Sequence, residues 1–515
     1  MNKLRNLLTT NFFPLSLIIL GLIIRLAMIN MPNSWLLTNI LSDDAFYYFK
    51  LAQNMAAGLG STFDGWQETN GYHPLWLWLI VPIFKNSQSI WQPIQITLIL
   101  SAIINALTNL GLLAIISKYT KNIWIKVLGI FVFVFNPFNI YESINGLETG
   151  LALLFLVLFI LVAINLKNKK SFWLFILWGI IGAAMMLARL DNVFYYIAGL
   201  AWIFFTQDKK WQKVFVVGLT STVLVLPWLI WSKLKFGTIL TSSGSASTIV
   251  NHHLIVQDHG PGLAQQIKAV FYSSYYGLQM AITQTGAPEL FLIVFGLALA
   301  WLVGHKTLSK KGYKKYSVEV YLFLGFILLF LLNASLRWTY RTWYFISINI
   351  YLVLAIVWYL QKIRHWWPAK AKFYILFGIL LASSFYISWS RHLVNRDARQ
   401  IQMQQISIWA NNNLPADTKI GVFNAGIQGY FSNNKVVNLD GLVNFPGYRA
   451  LAEYRLWDYA QEEGIEYLID FDVYLDYRYN AFFGIDDLKS RLELIEHDLL
   501  EAQGPKDIKV YKIKK

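Results

Sequence analysis

The feature that most limits how this chain can fold is a succession of apolar runs, many long enough to cross a hydrocarbon core. A spanning helix needs about 20 mostly apolar residues. Residues 11–29, 90–116, 123–140, 149–166, 172–187, 193–206, 214–231, 290–303, 318–336, 343–360 and 373–389 meet or approach that length. These are about eleven candidate spans, of which 193–206 and 290–303 need flanking residues to cross. Composition agrees: 56% of residues are hydrophobic and 14% charged, against about 25% charged in soluble proteins. Such a chain cannot cover a water-facing surface and must present most of itself to lipid. The 21 Trp and 28 Tyr suit segments that cross two interfaces each. The chain has no cysteine, which excludes a disulfide framework, a thiolate metal site and a cysteine nucleophile.

The run 73–84 is set apart. It is about a dozen residues long and carries Pro74 and Pro82, which fits an interfacial or re-entrant segment better than a span. Leaving it out places 20 Lys and Arg on one side of the membrane and eight on the other, the tail excluded. The positive-inside rule assigns the basic side to the cytoplasm. The expectation is a multi-pass plasma (inner) membrane protein with a cytoplasmic N-terminus. Its net charge of +15, 44 basic against 29 acidic residues, is then read as cytoplasmic loops facing anionic lipid, with no nucleic-acid partner. The first apolar run has no small-residue cleavage site and leads into a polar loop, so it is expected to remain as a span.

Composition shifts after Arg391. Helical signals at 397–412, 426–431 and 448–462 alternate with strand-like runs at 419–423, 435–439 and 465–469. The expected fold is mainly α: a polytopic membrane domain, 1–390, and a small extracytoplasmic α/β domain, 391–515, with a partly parallel sheet. The membrane domain would carry a first outer loop, 30–72, the interfacial segment, 73–84, and a long outer loop, 233–288.

The polar residues with chemical potential fall in the outer segments. Ser42-Asp43-Asp44 opens a run, 45–57, with Phe46, Phe49, Ala52 and Met55 at helical spacing. This run is expected to lie on the membrane with its apolar face down. Acids there can simply cap the helix. Adjacent carboxylates also raise each other's pKa, as a general base requires. His73 is open to packing or to catalysis. Glu142 and Glu148 flank Asn145-Gly146 and read either as sugar-binding acceptors or as helix caps. Arg189, Arg337 and Arg341 are candidate phosphate ligands, since guanidinium grips phosphate in a bidentate fork. They can instead snorkel to lipid headgroups, phosphate binding being the preferred reading for Arg337 and Arg341, and Arg189 can equally pair structurally with Asp191. His252, His253, Asp258 and His259 lack a strict zinc spacing, and a flap over the cavity is the preferred reading there. Asp440, at a strand end, is either a plain turn or an acceptor contact.

The stretch from Ser42-Asp43-Asp44-Ala45-Phe46-Tyr47-Tyr48 through Thr69-Asn70-Gly71-Tyr72-His73-Pro74-Leu75-Trp76 resembles the first loop of the glycosyltransferase C (GT-C) superfamily. Asn145-Gly146-Leu147-Glu148-Thr149 and Ala188-Arg189-Leu190-Asp191 resemble outer-loop motifs of its bacterial members. The resemblance covers roughly the membrane part and implies an integral membrane enzyme that uses a polyprenyl-phosphate-linked sugar. It implies Asp43 as catalytic base, with Asp44 as alternative or helper. The acceptor would be a glycan, a lipid or a protein. Some superfamily members need a divalent metal; no second ligand set is evident here, so no cofactor is assigned. Competing classes are a lipid-linked glycan flippase or transporter, a glycan polymerase or ligase, and a non-catalytic scaffold. A transporter places ionisable groups near the midplane of broken helices, often with repeats, whereas here most lie at span ends.

Overall fold

The structure, a computed structural model, describes residues 2–85, 87–168, 171–288, 318–336, 341–363, 371–394, 397–495 and 508–514. The candidate span 290–303 and Arg337 lie outside the described residues.

A helical bundle makes up the first part of the chain. Among the described residues, five helices are long and apolar enough to cross a membrane: Asn11–Ile29, Gln92–Tyr119, Thr149–Leu166, Lys210–Phe236 and Val318–Ser335. Shorter apolar helices, Phe172–Ala188 and Ile348–Ile363 among them, fill the same bundle. The run 123–140, expected as one span, is broken into Ile123–Val134 and Pro137–Ile144, bent by 55°. The cause is local. Asn136 accepts the amides of Phe138 and Asn139 as an N-cap, and Pro137 takes the first helical position, where its missing N–H costs nothing. The bend turns Glu142 and Asn145 toward one end of the bundle.

That end gathers the polar segments. The helix Asp43–Ala56 packs against the helix Pro74–Phe84 on one side and against Ala425–Phe431 of the tail on the other. It was expected to rest its apolar face on lipid. Instead Phe46 and Phe49 are fully buried in protein, and Phe46 lies 5.6 Å from both the Tyr430 and Phe431 rings. The loop 57–72 is pinned back onto this helix, with the Asn54 amide donating to the carbonyls of Thr62 and Phe63.

The segment 233–288 differs from a plain loop. It holds two helices, Ser242–His259 and Leu263–Thr283. Thr241 caps the first, and Ser242 donates from its hydroxyl to the Leu442 carbonyl of the tail.

The tail forms a five-stranded sheet. Its strands are β1 (Lys419–Val422), β2 (Lys435–Asn438), β3 (Tyr467–Phe471), β4 (Leu492–Ile495) and β5 (Ile508–Ile513), in the order β2-β1-β3-β5-β4. β1 is parallel to β2 and β3, while β5 is antiparallel to β3 and β4. The helix expected at 448–462 is two, Phe445–Ala452 and Leu456–Glu462. Tyr454 between them sits at φ 56°, a left-handed conformation that no helix interior accepts. One face of the sheet shares a hydrophobic core with the first-loop helices: Ile420 and Val422 of β1, with Ile427 of the helix Ala425–Phe431, bury in the same cluster as Phe46, Phe49 and Trp76. The α/β unit is therefore welded to the bundle end by apolar burial, the dominant favourable term in such contacts.

Candidate active site at the bundle end

Asp43 opens the surface helix, yet it does not cap it. Its Oδ1 accepts the N–H of Ile427, 2.8 Å away, in the first turn of Ala425–Phe431. The carboxylate thus caps a helix of the α/β unit. Gly426 makes this approach possible: a Cβ there would meet the Asp43 carbonyl oxygen at 2.3 Å. The second oxygen, Oδ2, is buried without a hydrogen-bond partner. Burial, then the charge of Asp44, push the Asp43 carboxyl well above the usual carboxylate range; the Ile427 N–H opposes this only in part. A buried acid with one free oxygen and a raised pKa is, once ionised, a stronger proton acceptor than an ordinary carboxylate.

Asp44, half-buried, faces the opposite charge. Arg341 is exposed to solvent. The carboxylate of Asp44 holds the Arg341 guanidinium charged against the cost of desolvation. Its guanidinium carbon lies 5.4 Å from the Trp343 ring, and Trp343 is buried. The loop is fixed from below, where the Thr342 hydroxyl donates to Glu142 and the Gln284 amide donates to the Thr342 carbonyl at 2.5 Å. Glu142, a candidate sugar ligand by sequence, is buried; it also accepts the Asn145 amide at 2.8 Å. It acts here as a brace beneath the Arg341 loop.

A second cluster brings together four more predicted residues. Arg189 makes a two-pronged contact with Asp191, at 3.0 and 2.9 Å, and reaches Glu148 at 3.3 Å. Desolvation works against the Arg189 charge, but Asp191 and Glu148 outweigh it and hold the guanidinium charged. Burial likewise opposes the Asp191 carboxylate, and Arg189 more than reverses it, leaving its pKa lowered. His73 lies beside Glu148, Nε2 to Oε1 3.7 Å, and its Nδ1 accepts the Leu190 N–H at 3.2 Å. An Nδ1 that accepts is unprotonated, so the ring is neutral with its hydrogen on Nε2. Burial lowers the His73 pKa, consistent with that state. Tyr344 joins the two clusters: the Arg189 guanidinium sits 4.9 Å from its ring, and Asp44 and Arg341 both act on its hydroxyl.

Sequence reasoning missed what the α/β unit brings. Asp470, on β3, accepts the amides of Phe423 and Asn424 at 2.7 and 3.0 Å, and burial pushes its carboxyl up to about 6. The Tyr47 hydroxyl accepts the Ala425 amide and donates to the Phe423 carbonyl. Asp440, at the end of β2, is pushed up to about 7, first by burial, while Asp44 raises it further and Arg478 lowers it. An acid at the carboxyl end of a parallel strand was the only advance signal, because such ends line ligand sites. Two histidines of 242–259 make ring contacts: His253 sits 4.9 Å from the Phe482 ring and His259 stacks on Tyr272. Among the described residues no group of three or more His, Asp or Glu could hold a metal ion.

Comparison with known proteins adds the following. A family profile described as a domain of unknown function (DUF8728) matches residues 391–511. No curated protein matches the sequence. Among solved structures, ArnT from Cupriavidus metallidurans bound to undecaprenyl phosphate is similar at TM-score 0.56 and 11% identity, covering 96% of this chain and 97% of ArnT. Its apo state gives the same TM-score at 10% identity and the same coverage. The arabinofuranosyltransferase AftD from Mycobacteria is similar at TM-score 0.45 and 13% identity, over 97% of this chain and 40% of AftD. Over 96% of its length this chain has the fold of ArnT.

Proposed function

We propose that the chain is an integral membrane glycosyltransferase that moves a sugar from a polyprenyl-phosphate donor to a hydroxyl of a glycan, lipid or protein acceptor. In this reading the reaction takes place at the extracytoplasmic face of the plasma membrane. The N-terminus is cytoplasmic, and the α/β unit, 391–515, is an extracytoplasmic domain above the membrane domain, 1–390.

The observation that carries the reading is the pairing of Asp43, whose Oδ2 is buried and unpartnered, with a guanidinium, Arg341, that Asp44 and Asp43 both influence. Glycosyl transfer needs those two groups in one place. Asp43 takes the proton of the acceptor hydroxyl as its oxygen bonds to the anomeric carbon. The bond from that carbon to the phosphate oxygen breaks, and its electron pair leaves with the polyprenyl phosphate. Arg341 balances the charge that develops on the phosphate. A single displacement of this kind inverts the anomeric centre. A carboxylate is weak against an alcohol, so proton transfer accompanies attack, and its raised pKa improves the match. Asp44 helps by raising the Asp43 pKa and by fixing the charge of Arg341. Arg189, engaged by two carboxylates, together with His73, Glu148 and Asp191, stiffens the floor on which substrate rests.

The test is transfer by the purified protein in liposomes, offered radiolabelled polyprenyl-phosphate pentoses and hexoses. Asp43→Asn is expected to lose about 10²–10⁴-fold in kcat, the usual contribution of one general base. Normal transfer by both Asp43→Asn and Asp44→Asn would remove the first loop from the mechanism.

A further inference from the structure

Arg478 has no role in the proposed chemistry, and its placement is unusual. It ends a single π-helical turn, Tyr474–Arg478, a distortion that is often found at functional sites. Its guanidinium carbon lies 5.6 Å from the Tyr474 ring and 5.4 Å from the Tyr479 ring. A guanidinium held against rings in this way keeps its N–H donors available for hydrogen bonds, since the rings accept none of them strongly. Those donors are idle: Nε is buried with no partner. Among the described residues Arg478 makes no hydrogen bond or ion pair.

Arg341 repeats the pattern from the other side. It too lies over an aromatic ring, Trp343, and it too lacks a hydrogen bond or ion pair among the described residues. The two cations repel across the junction and share Tyr474 as a neighbour. Asp440 and Asp44 are the nearby carboxylates that act on them, and neither closes an ion pair with them. Two guanidinium groups held against aromatic rings and lacking hydrogen-bond partners among the described residues, one from the bundle and one from the α/β unit, form half of an anion site. The chemistry that fills it is a tetrahedral, multiply charged oxyanion, because each fork matches two oxygens of a phosphate.

We propose that Arg478 is a substrate-binding residue which, with Arg341, clamps a phosphate group between the bundle and the α/β unit. This rests on the glycosyltransferase reading, in which the phosphate is that of the polyprenyl donor or of the polyprenyl phosphate it leaves. It gives the α/β unit a direct part in binding donor.

The experiment is binding of undecaprenyl phosphate and, separately, of inorganic phosphate to the full-length protein in detergent, followed by intrinsic tryptophan fluorescence. Arg478→Gln is expected to weaken binding of the lipid phosphate about 10- to 100-fold, the range for a hydrogen bond to a charged group. Arg478→Lys is expected to weaken it about 5-fold, since an ammonium keeps charge but loses the fork. Loss for both ligands means that the phosphate group alone is recognised. Loss for the lipid only assigns the site to the donor. Wild-type affinity for both ligands in Arg478→Gln overturns the proposal, and wild-type affinity in Arg478→Lys does so if the glutamine variant fails to fold. The two readings fail separately. An inert Arg478 beside an inactive Asp43→Asn leaves the transferase intact, whereas no transfer by the wild-type protein beside weakened phosphate binding in Arg478→Gln removes the transferase and spares the anion site.

Discussion

Asp43 and Ile427 are 384 residues apart in sequence, and a 2.8 Å hydrogen bond joins them. The carboxylate that the proposed chemistry uses is therefore held by the α/β unit. Replacing Asp43 with Asn keeps an acceptor for the Ile427 N–H and removes the base. The expected result is an inactive protein that melts close to wild type. Replacing it with Ala also removes a helix cap, at a cost of about 1 kcal/mol. Thermal unfolding in detergent should separate the two variants although transfer is lost in both.

Gly426 tests the same contact from the other partner. A Cβ at this position meets the Asp43 backbone oxygen at 2.3 Å and its Oδ1 at 3.0 Å. The first atom belongs to backbone and cannot rotate away. Gly426→Ala is expected to push the helix Ala425–Phe431 off the first loop, with a loss of about 1–3 kcal/mol and of transfer. Gly378, where an added Cβ meets nothing within 4 Å, is the control: Ala there should leave both melting temperature and transfer unchanged.

The arginines divide by their partners. Arg189 neutralises Asp191 and Glu148, and all three are largely buried. Arg189→Ala leaves two uncompensated carboxylates, and breaking such a buried pair costs about 3–5 kcal/mol. Low yield and a depressed melting temperature are expected. Arg341→Ala removes a cation that closes no ion pair, so stability should hold while the KM for the donor rises. A melting curve and a donor titration on the same two variants check this division.

Much of this was legible in the chain, for physical reasons. Apolar length depends only on local sequence, so most expected runs among the described residues reappear as helices. Strands 419–422 and 435–438 fall within the segments expected. The acidic pair, Arg189 with Asp191, and Arg341 all lie at the polar bundle end. What escaped was tertiary. Asn136-Pro137 reads as a tolerable interruption in an apolar run until its cap geometry is seen. Asp43 looks like the cap of its own helix, since sequence cannot reveal an Ile427 amide hundreds of residues away. Arg478 lies in a polar tail without periodicity, and only its stacking on Tyr474 and Tyr479 marks it out.

Stability and activity should respond to pH in opposite directions. Burial raises Asp440 to about 7 and Asp470 to about 6 in the folded protein, while both return to about 3.9 when unfolded. Between those values the folded state binds more protons than the unfolded state, so stability falls as pH rises and is greatest toward pH 4. This is the reverse of a salt-bridged carboxylate. Transfer has the opposite need, because Asp43 must be ionised to accept a proton. Its raised pKa moves the acid limb of the kcat profile above the usual carboxylate range, so activity climbs as pH rises through that limb. Asp440→Asn removes one of the stability terms. Melting temperatures recorded between about pH 5 and 8 should slope less in that variant than in wild type. An unchanged slope would mean that Asp440 is already ionised in the folded protein, and that the junction is wetter than its burial implies.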